Sequence, residues 1–240
     1  MRRAFCLLCL VISTIVLSIV AFFVFLFDRR GYVLHGIERL WAKIYLFSAK
    51  IDVFLEGEEN LRNGPYVFMC NHQSALDIFV LLAKIPLSFR FVAKKELFRI
   101  PFMGWAMKCV GHISIDRESL RESKKALDEV VSKVKRGVSV LIFPEGTRSE
   151  DGNLLPFKKG AFHIVHRIDA QIVPCAIYGT FLLQPKGKFL PIKSGSVWVE
   201  IGKPIEIKDS GLKKSAVAEM VWKDIDRLLT KNKIKTQNVV

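Results

Sequence analysis

The sequence has few cysteines, and their arrangement suits neither a metal module nor a disulfide framework. Its five cysteines are an odd number at scattered positions. Cys6 and Cys9 form the single CxxC pair, inside an apolar run without polar neighbours. A zinc module needs two such pairs at regular spacing, and a small disulfide scaffold needs a denser, even set. The cysteines are therefore interpreted as small apolar side chains of a protein from a reducing compartment.

The chain also has few acidic residues, no internal repeat and no linker rich in glycine and serine. Its 23 acidic residues against 37 basic ones leave a net charge of +14. This surplus favours an anionic partner, such as a phosphate-bearing substrate, an acidic lipid surface or nucleic acid. No aromatic RNA-binding motif or recognisable DNA-binding helix accompanies the charge, so no nucleic-acid partner is expected.

One long stretch without charge lies at the N-terminus, between Ala4 and Phe27. As an α-helix it would be roughly 36 Å long, enough to cross a hydrocarbon core of about 30 Å. Asp28, Arg29 and Arg30 follow it in place of a small-residue cleavage site. A permanent membrane anchor is therefore predicted rather than a cleaved signal peptide. More basic residues follow this stretch than precede it, which favours a domain on the cytoplasmic side of the cell membrane.

A second, amphipathic helix is predicted over residues 36–50, with aromatic and apolar side chains among charged ones. Such a helix suits the headgroup region of a bilayer, although an ordinary core-facing helix gives the same pattern. Residues 1–50 are thus expected to form the anchor. Two arrangements remain open: one helix crosses the bilayer while the other lies on its surface, or both enter from one side.

Beyond residue 50, short runs rich in valine, isoleucine and phenylalanine alternate with helical patterns. This alternation predicts an α/β domain over residues 51–230, with a mixed, largely parallel sheet flanked by helices, and a polar tail over 231–240. The predicted strands are Tyr66–Cys70, Phe89–Ala93, Val110–Ile115, Val138–Phe143, Gln171–Ile177 and Ser196–Ile201. The predicted helices are Ala75–Lys84, Glu118–Lys135 and Leu212–Thr230.

The densest group of polar residues, 71–77, directly follows the first of these strands. Ser74 and Asp77 have the spacing of a helix capping box, which is a purely structural role. The same spacing brings the Asp77 carboxylate towards the loop that carries His72. A carboxylate beside an imidazole fixes its tautomer and favours its protonated form, so His72 is also a candidate general base.

A second polar group, residues 143–149, follows the predicted strand Val138–Phe143. Its turn at Glu145 and Gly146, with Thr147 and Arg148, can present N–H groups, a hydroxyl and a guanidinium to a phosphate. Lys94 and Arg117 end two other strands, where a lone cation is usually only solvated. His163 and His166 lack a third ligand, so no metal site is predicted.

Taken together, these segments resemble the motif set of the glycerolipid acyltransferases of the 1-acylglycerol-3-phosphate type. Residues 71–77 resemble the NHxSxxD block, with its HxxxxD core, and residues 143–149 are a complete FPEGTRS block. Residues 111–117 are similar to the GxxFIDR block, with Ser114 in place of the usual large apolar residue, and 173–177 to the VPxxI block. Order and spacing agree from Val67 to Ile177.

The resemblance implies an enzyme that moves a fatty acyl group from acyl-CoA or acyl carrier protein to the 2-hydroxyl of 1-acylglycerol 3-phosphate (lysophosphatidic acid). The product would be phosphatidic acid, and no cofactor is implied. The implied roles are His72 as the base, Asp77 as its orienting partner, Arg117 and Arg148 as phosphate ligands, and Glu145, Gly146 and Thr147 as residues that shape the pocket. Lys94 is added as a phosphate ligand because of its position at a strand end.

The residues themselves agree with this chemistry. A thioester and an alcohol react once a base removes the alcohol proton, and the chain has no G-x-S-x-G nucleophile elbow, so no acyl-enzyme is expected. The backbone near Gly146 is a candidate oxyanion donor. Three alternatives stay open: glycerol 3-phosphate as acceptor, another lysophospholipid as acceptor, or a non-catalytic membrane protein that binds acidic lipids.

Overall fold

A computed structural model describes residues 1–28, 31–62, 64–116, 118–208 and 210–237. Within these residues the chain forms one seven-stranded sheet with helices on both faces. The strands are β1 (Ile51–Glu56), β2 (Tyr66–Cys70), β3 (Phe89–Lys94), β4 (Ile113–Ile115), β5 (Ser139–Ile142), β6 (Gln171–Tyr178) and β7 (Gly195–Ile201). The helices are α1 (Arg2–Phe25), α2 (Tyr32–Ala49), α3 (Leu76–Lys84), α4 (Met103–Val110), α5 (Leu120–Lys135), α6 (Thr180–Leu183) and α7 (Lys214–Gln237).

The strand order is β1-β7-β6-β2-β5-β3-β4, and β6 with β7 is the antiparallel pair. All other neighbouring strands run parallel. The predicted mixed, largely parallel sheet with flanking helices is therefore confirmed. Because β2, β5, β3 and β4 are parallel neighbours, the segments that follow them meet at one edge of the sheet, where open α/β folds bind their ligands.

Alternation along the strands divides the core into two layers. On one face, Phe68 and Cys70 of β2 pack with residues of α2 and α3. On the other face, Val67 and Met69 pack in a cluster with residues of α5 and α7. Every residue of β2 is buried, as expected for a central parallel strand covered on both faces.

Helix α1 is long and apolar enough to cross a membrane, by length and composition. It packs alongside the domain at several points. The Arg2 guanidinium donates to the Ile192 carbonyl oxygen at 3.1 Å, and the Trp41 indole N–H donates to the Thr14 hydroxyl at 2.9 Å. Near its C-terminal end, Ala21 joins a small apolar cluster with residues of α2 and α4.

Helix α2 packs part of its apolar face against the protein, as a core-facing helix would. The rings of Trp41 and Tyr45 pack at a tilt on Phe79 of α3, with centroids 4.6 Å and 4.0 Å away. These two rings therefore contact α3, while a place for residues 36–50 in the membrane anchor stays a prediction. Leu40 and Phe47 remain exposed on the other side of the helix.

Helix α2 is also joined to the sheet by a buried polar contact. Glu38 accepts a hydrogen bond from the His112 ring at 2.6 Å, and the other ring nitrogen of His112 accepts from the Phe91 N–H at 3.0 Å. Burial opposes ionisation of Glu38, but His112 and His35 outweigh it and lower the pKa of this carboxyl to about 2.

Several element boundaries differ from expectation. Val110 ends α4, and Gly111, with φ of 87°, separates that helix from a strand that begins only at Ile113. The sequence predicted neither α4 nor β1. Helix α7 continues to Gln237, past the predicted end at Thr230. Arg29, Arg30, Arg117 and the last three residues of the predicted tail lie outside the described residues.

Candidate active site

The site begins where β2 ends. Asn71 is buried, and its side-chain amide donates to the Ile177 carbonyl oxygen at 2.9 Å. Its Oδ1 accepts from the Ile177 N–H at 2.7 Å. This pair of bonds joins the end of β2 to β6, and so fixes the position from which the next residue, His72, extends.

The imidazole of His72 is held by the carboxylate of Asp77. His72 Nδ1 lies 2.8 Å from Asp77 Oδ2, and the Asp77 side chain is completely buried. A proton on Nδ1 makes this contact a hydrogen bond and leaves Nε2 as the basic nitrogen. Among the described residues, Nε2 has no hydrogen-bond partner, and 14% of the side chain remains exposed. The sequence-predicted pair is thus brought together, with one ring nitrogen available.

Asp77 holds the start of α3 with the same oxygen. Oδ2 also accepts from the N–H groups of Gln73 at 2.7 Å and Ser74 at 2.9 Å, while the Ser74 hydroxyl accepts from the Leu76 N–H at 3.0 Å. The Asp77–Ser74 bond is one half of the predicted capping box, whereas the Ser74 hydroxyl accepts from Leu76 and the Asp77 N–H donates to the Ser74 carbonyl oxygen. The structural and functional interpretations of Asp77 are therefore compatible, because one carboxylate oxygen serves both the helix start and the imidazole.

The 143–149 segment clamps the backbone of His72 from the neighbouring strand β5. Glu145 Oε1 accepts from the His72 N–H at 2.6 Å, and the Ser149 N–H donates to the His72 carbonyl oxygen at 2.8 Å. In addition, the ring of Phe143 stacks on the imidazole, with centroids 4.0 Å apart and planes at 15°. Both backbone polar groups and one ring face of His72 are thus held by this segment.

Glu145 is turned into the protein. Its second oxygen, Oε2, accepts from the Leu155 N–H at 2.9 Å, and the residue is 1% exposed. Burial raises the pKa of Glu145 to about 7, with the Asp77 charge acting in the same direction and the two backbone N–H bonds opposing it. Since both oxygens have backbone partners, Glu145 is suited to position His72 and the following turn.

The turn itself requires a glycine. Gly146 has φ of 71°, and its N–H donates to the Phe143 carbonyl oxygen at 3.0 Å. That bond occupies the Gly146 N–H itself, and an oxyanion donor elsewhere in the backbone near Gly146 stays a prediction. Thr147 is exposed and Arg148 half-buried. Within the described part of the chain, the Arg148 guanidinium has no ion-pair partner, so it remains available to an anion.

Of the remaining predicted cations, Lys94 lies farther along the same edge. Lys94 ends β3, which is separated from β2 by β5. Its side chain is half-exposed, and its amino group lies 3.6 Å from the Glu96 carboxylate. Arg117, which follows β4, lies outside the described residues. Ser114, the departure from the family pattern, is exposed on β4.

Sequence analysis missed two contributors to this edge. Phe143 was assigned to the end of a predicted strand and to a motif, although it supports the imidazole directly. Lys95 forms an ion pair with Asp116, which joins the ends of β3 and β4. The alternation of side chains along a strand places Phe143 on the same face of the sheet as Leu141. This position would have predicted a contact with residues at the end of the neighbouring strand.

Comparison with known proteins agrees with this geometry. A family model described as acyltransferase matches residues 52–178, which include the polar groups around His72 and Glu145. The chain is 42% identical over 207 residues to the chloroplastic 1-acyl-sn-glycerol-3-phosphate acyltransferase of Brassica napus. The aligned region covers 82% of this chain and 59% of the relative. It is 40% identical over 184 residues to the Saccharomyces cerevisiae protein of the same description, covering 75% and 59%.

A solved structure has the same architecture. The crystal structure of the 1-acyl-sn-glycerophosphate (LPA) acyltransferase from Thermotoga maritima matches with a TM-score of 0.85 at 27% identity, covering 97% of this chain and 95% of that one. The chain spans between half and three fifths of the length of the first curated relatives it matches. With the family model matching more than half of its residues, the chain belongs to the acyltransferase family.

Proposed function

We propose that this protein transfers a fatty acyl group from a thioester to the 2-hydroxyl of 1-acyl-sn-glycerol 3-phosphate, giving phosphatidic acid for phospholipid synthesis. The observation that carries the proposal is the His72–Asp77 pair, 2.8 Å between Nδ1 and Oδ2, with Nε2 left without a partner among the described residues. The relatives named above are described as acyltransferases of this acceptor, which supports the choice of substrate.

In the proposed reaction, His72 Nε2 takes the proton of the acceptor hydroxyl as its oxygen attacks the thioester carbonyl carbon. The carbon–sulfur bond then breaks, and the leaving sulfur takes the proton back from Nε2. An ester and a free thiol result, and no acyl-enzyme forms because the acceptor is itself the nucleophile. Asp77 orients the ring and stabilises the imidazolium formed between the two steps.

The acceptor phosphate would bind at the same edge of the sheet. Arg148 is the primary ligand we assign, because it follows the turn that clamps His72 and has no ion-pair partner within the described chain. Arg117 and Lys94 are proposed as further cations from their positions after β4 and at the end of β3. Gly146 and Thr147 shape the turn, while Glu145 positions it. The donor is proposed to be acyl-CoA or acyl carrier protein.

The membrane is the proposed location, with the domain on the cytoplasmic side of the cell membrane. When a helix crosses a bilayer, one of its ends lies on the opposite face of the membrane and cannot contact the domain. Helix α1 instead contacts the domain near both ends, through Arg2 and Ala21. These contacts favour entry of α1 from one side of the bilayer, alongside the domain. Protease digestion of sealed, oriented vesicles tests the side on which the domain lies.

The decisive experiment measures phosphatidic acid formation by the purified full-length protein in lipid vesicles. His72→Ala should lower kcat by about 10²–10⁴-fold, the usual contribution of a positioned base. His163→Ala is a matched control, because His163 is an exposed histidine on the 3-10 turn Lys159–Ile164 and takes no part in the His72–Asp77 contact. A His72→Ala protein that stays folded and turns over at the wild-type rate would contradict the proposal.

A panel of acceptors tests the substrate. Lysophosphatidic acid should react at least tenfold faster, in kcat/KM, than glycerol 3-phosphate or a lysophospholipid whose phosphate carries a further headgroup. A faster reaction with either of those would replace the proposed substrate. No acyl transfer to any acceptor, together with binding to acidic vesicles, would instead support a non-catalytic lipid-binding protein.

A further inference from the structure

Residues 95–110 form a compact segment between β3 and β4 at the edge of the sheet, here named the rim hairpin. It consists of a 3-10 turn over Lys95–Arg99, a connecting turn and helix α4. We propose that the rim hairpin is a second membrane-contacting element, which inserts apolar side chains into an anionic lipid surface and holds the acceptor site at that surface. This inference rests on the proposed function, since it assigns the direction from which the lysolipid arrives.

The hairpin is tightly built. A Cβ at Gly104 would lie 2.3 Å from the Phe98 carbonyl oxygen, so glycine allows the 3-10 turn to pack directly against α4. The Gly104 N–H donates to the Ile100 carbonyl oxygen at 2.8 Å. Phe102 adopts φ of 62°, which is unusual for a bulky residue, and its ring packs on Trp105 at 5.2 Å. The side chains that point outward are therefore held in a defined arrangement.

Those outward side chains are large and apolar. Leu97, Ile100 and Trp105 are 38%, 45% and 56% exposed. The basic residues Arg99 and Lys108 are exposed between and beside them. Apolar side chains with a tryptophan and flanking cations are the composition of protein segments at a membrane–water interface. Each well-placed cation is further attracted by acidic headgroups.

Continuity with α1 identifies lipid as the partner. Helix α4 shares a buried cluster with α1, in which Ala106 and Cys109 of α4 lie with Ala21 and Val24 of α1. The outer side of α1 exposes a long series of apolar side chains, including Phe22 and Phe23. The rim hairpin therefore lies directly against the helix assigned to the membrane, and in the proposed arrangement one bilayer surface covers the exposed apolar side chains of both.

The hairpin is also tied to the proposed phosphate site. It begins directly after Lys94, and the Lys95–Asp116 ion pair joins its first residue to the end of β4. A hairpin resting in the headgroup layer would bring this edge of the sheet to the level of lipid phosphates. A lysolipid could then present its phosphate to Arg148 while its acyl chain stays in the bilayer.

Fluorescence quenching tests the contact without reference to activity. A variant that keeps Trp105 as its single tryptophan (W41F, W198F, W222F) is bound to vesicles of anionic phosphatidylglycerol with bromine on the acyl chains. Trp105 fluorescence should fall at least twofold relative to vesicles without bromine. The control keeps Trp198 instead, which stacks on Phe54 of the edge strand β1 and should be quenched little. Unquenched Trp105 in vesicle-bound protein would overturn the proposal.

Kinetics distinguish this inference from the proposed function. Trp105→Glu should lower kcat/KM at least tenfold for long-chain lysophosphatidic acid in vesicles, and leave it within twofold for a short-chain, water-soluble acceptor. Met220→Glu, which adds the same charge at an exposed apolar residue of α7, should change neither value. Equal loss on both acceptors would show a catalytic or folding defect and contradict the inference. A wild-type protein inactive on both acceptors would contradict the proposed function, whereas the quenching result would still decide the contact.

Discussion

The imidazole of His72 lies almost parallel to the phenyl ring of Phe143, with ring centroids 4.0 Å apart and planes at 15°. Phe91 stacks on the same phenyl ring, 6.1 Å away at 14°. The three rings form a column that ends at the proposed base. A phenyl face attracts a cation, so this column supports both the orientation of the imidazole and the positive charge it acquires on taking a proton.

Phe143→Leu keeps an apolar side chain of similar volume but removes the ring face. A cation–π contact contributes about 0.5–2 kcal/mol, so kcat should fall roughly 2- to 30-fold, with KM for lysophosphatidic acid unchanged. Phe143→Tyr retains the ring and should keep most of the activity. Steady-state kinetics on both variants provide the check. A leucine variant with wild-type kcat would show that the ring only fills space.

Asp77→Asn removes the charge that faces Nδ1 of His72 and leaves a side chain of the same size. We expect kcat to fall by about 10²–10⁴-fold, because the ring loses its preferred tautomer and the imidazolium loses its partner. Ser74→Ala is the matched control: it removes the capping hydroxyl and leaves the His72–Asp77 contact. That control should lower stability by about 1 kcal/mol and leave kcat within a few-fold. If both variants lost activity equally, Asp77 would act through the helix start alone.

Arg148→Ala tests the phosphate ligand. Loss of a charge-assisted hydrogen bond costs roughly 1.5–3 kcal/mol, so KM for lysophosphatidic acid should rise about 10- to 150-fold while kcat changes little. Lys159→Ala removes an exposed cation on the 3-10 turn that follows the segment and should leave KM unchanged. An Arg148→Ala enzyme with wild-type KM would exclude this guanidinium as a substrate ligand.

Glu145 makes stability depend on pH. Its pKa is about 7 in the folded protein and 4.5 ordinarily, so the folded state binds the proton more tightly. Stability should therefore fall as the pH rises from about 4.5 to 7 and be level above that, by roughly 3 kcal/mol in total. Glu145→Gln should lack this dependence. Thermal unfolding of both proteins between pH 5 and 8 measures it, and parallel curves would show that Glu145 does not titrate in this range.

The sequence was a good guide wherever neighbours along the chain determine the structure. The strand Tyr66–Cys70 is continuous and apolar because it is covered on both faces, and its predicted bounds are the observed ones. His72 and Asp77 meet because a strand end and the first turn of a helix are separated by only a few residues. By contrast, Val110–Ile115 reads as a strand from its β-branched residues, but Gly111 ends a helix there.

Other features depend on partners distant in the sequence. Helix α7 continues past Thr230 because Asn232 is buried and donates to the Glu200 carboxylate of β7 at 3.0 Å. The strand β1 was missed because Asp52 and Glu56 interrupt its apolar pattern, although it pairs with β7 along its whole length. Neither contact produces a periodic pattern of apolar residues in the sequence, because each joins segments that are far apart along the chain.

The order of apolar and polar residues alone thus determined a mixed, largely parallel α/β sheet, an apolar first helix and a histidine with a carboxylate five residues later. Each of these follows from local geometry and periodicity. Tertiary structure alone decided that Glu145 and Ser149 hold the backbone of His72, that Phe143 supports its ring, and that α2 packs inward. These contacts join strands and helices many residues apart, and their energies depend on burial and orientation, which only the folded chain provides.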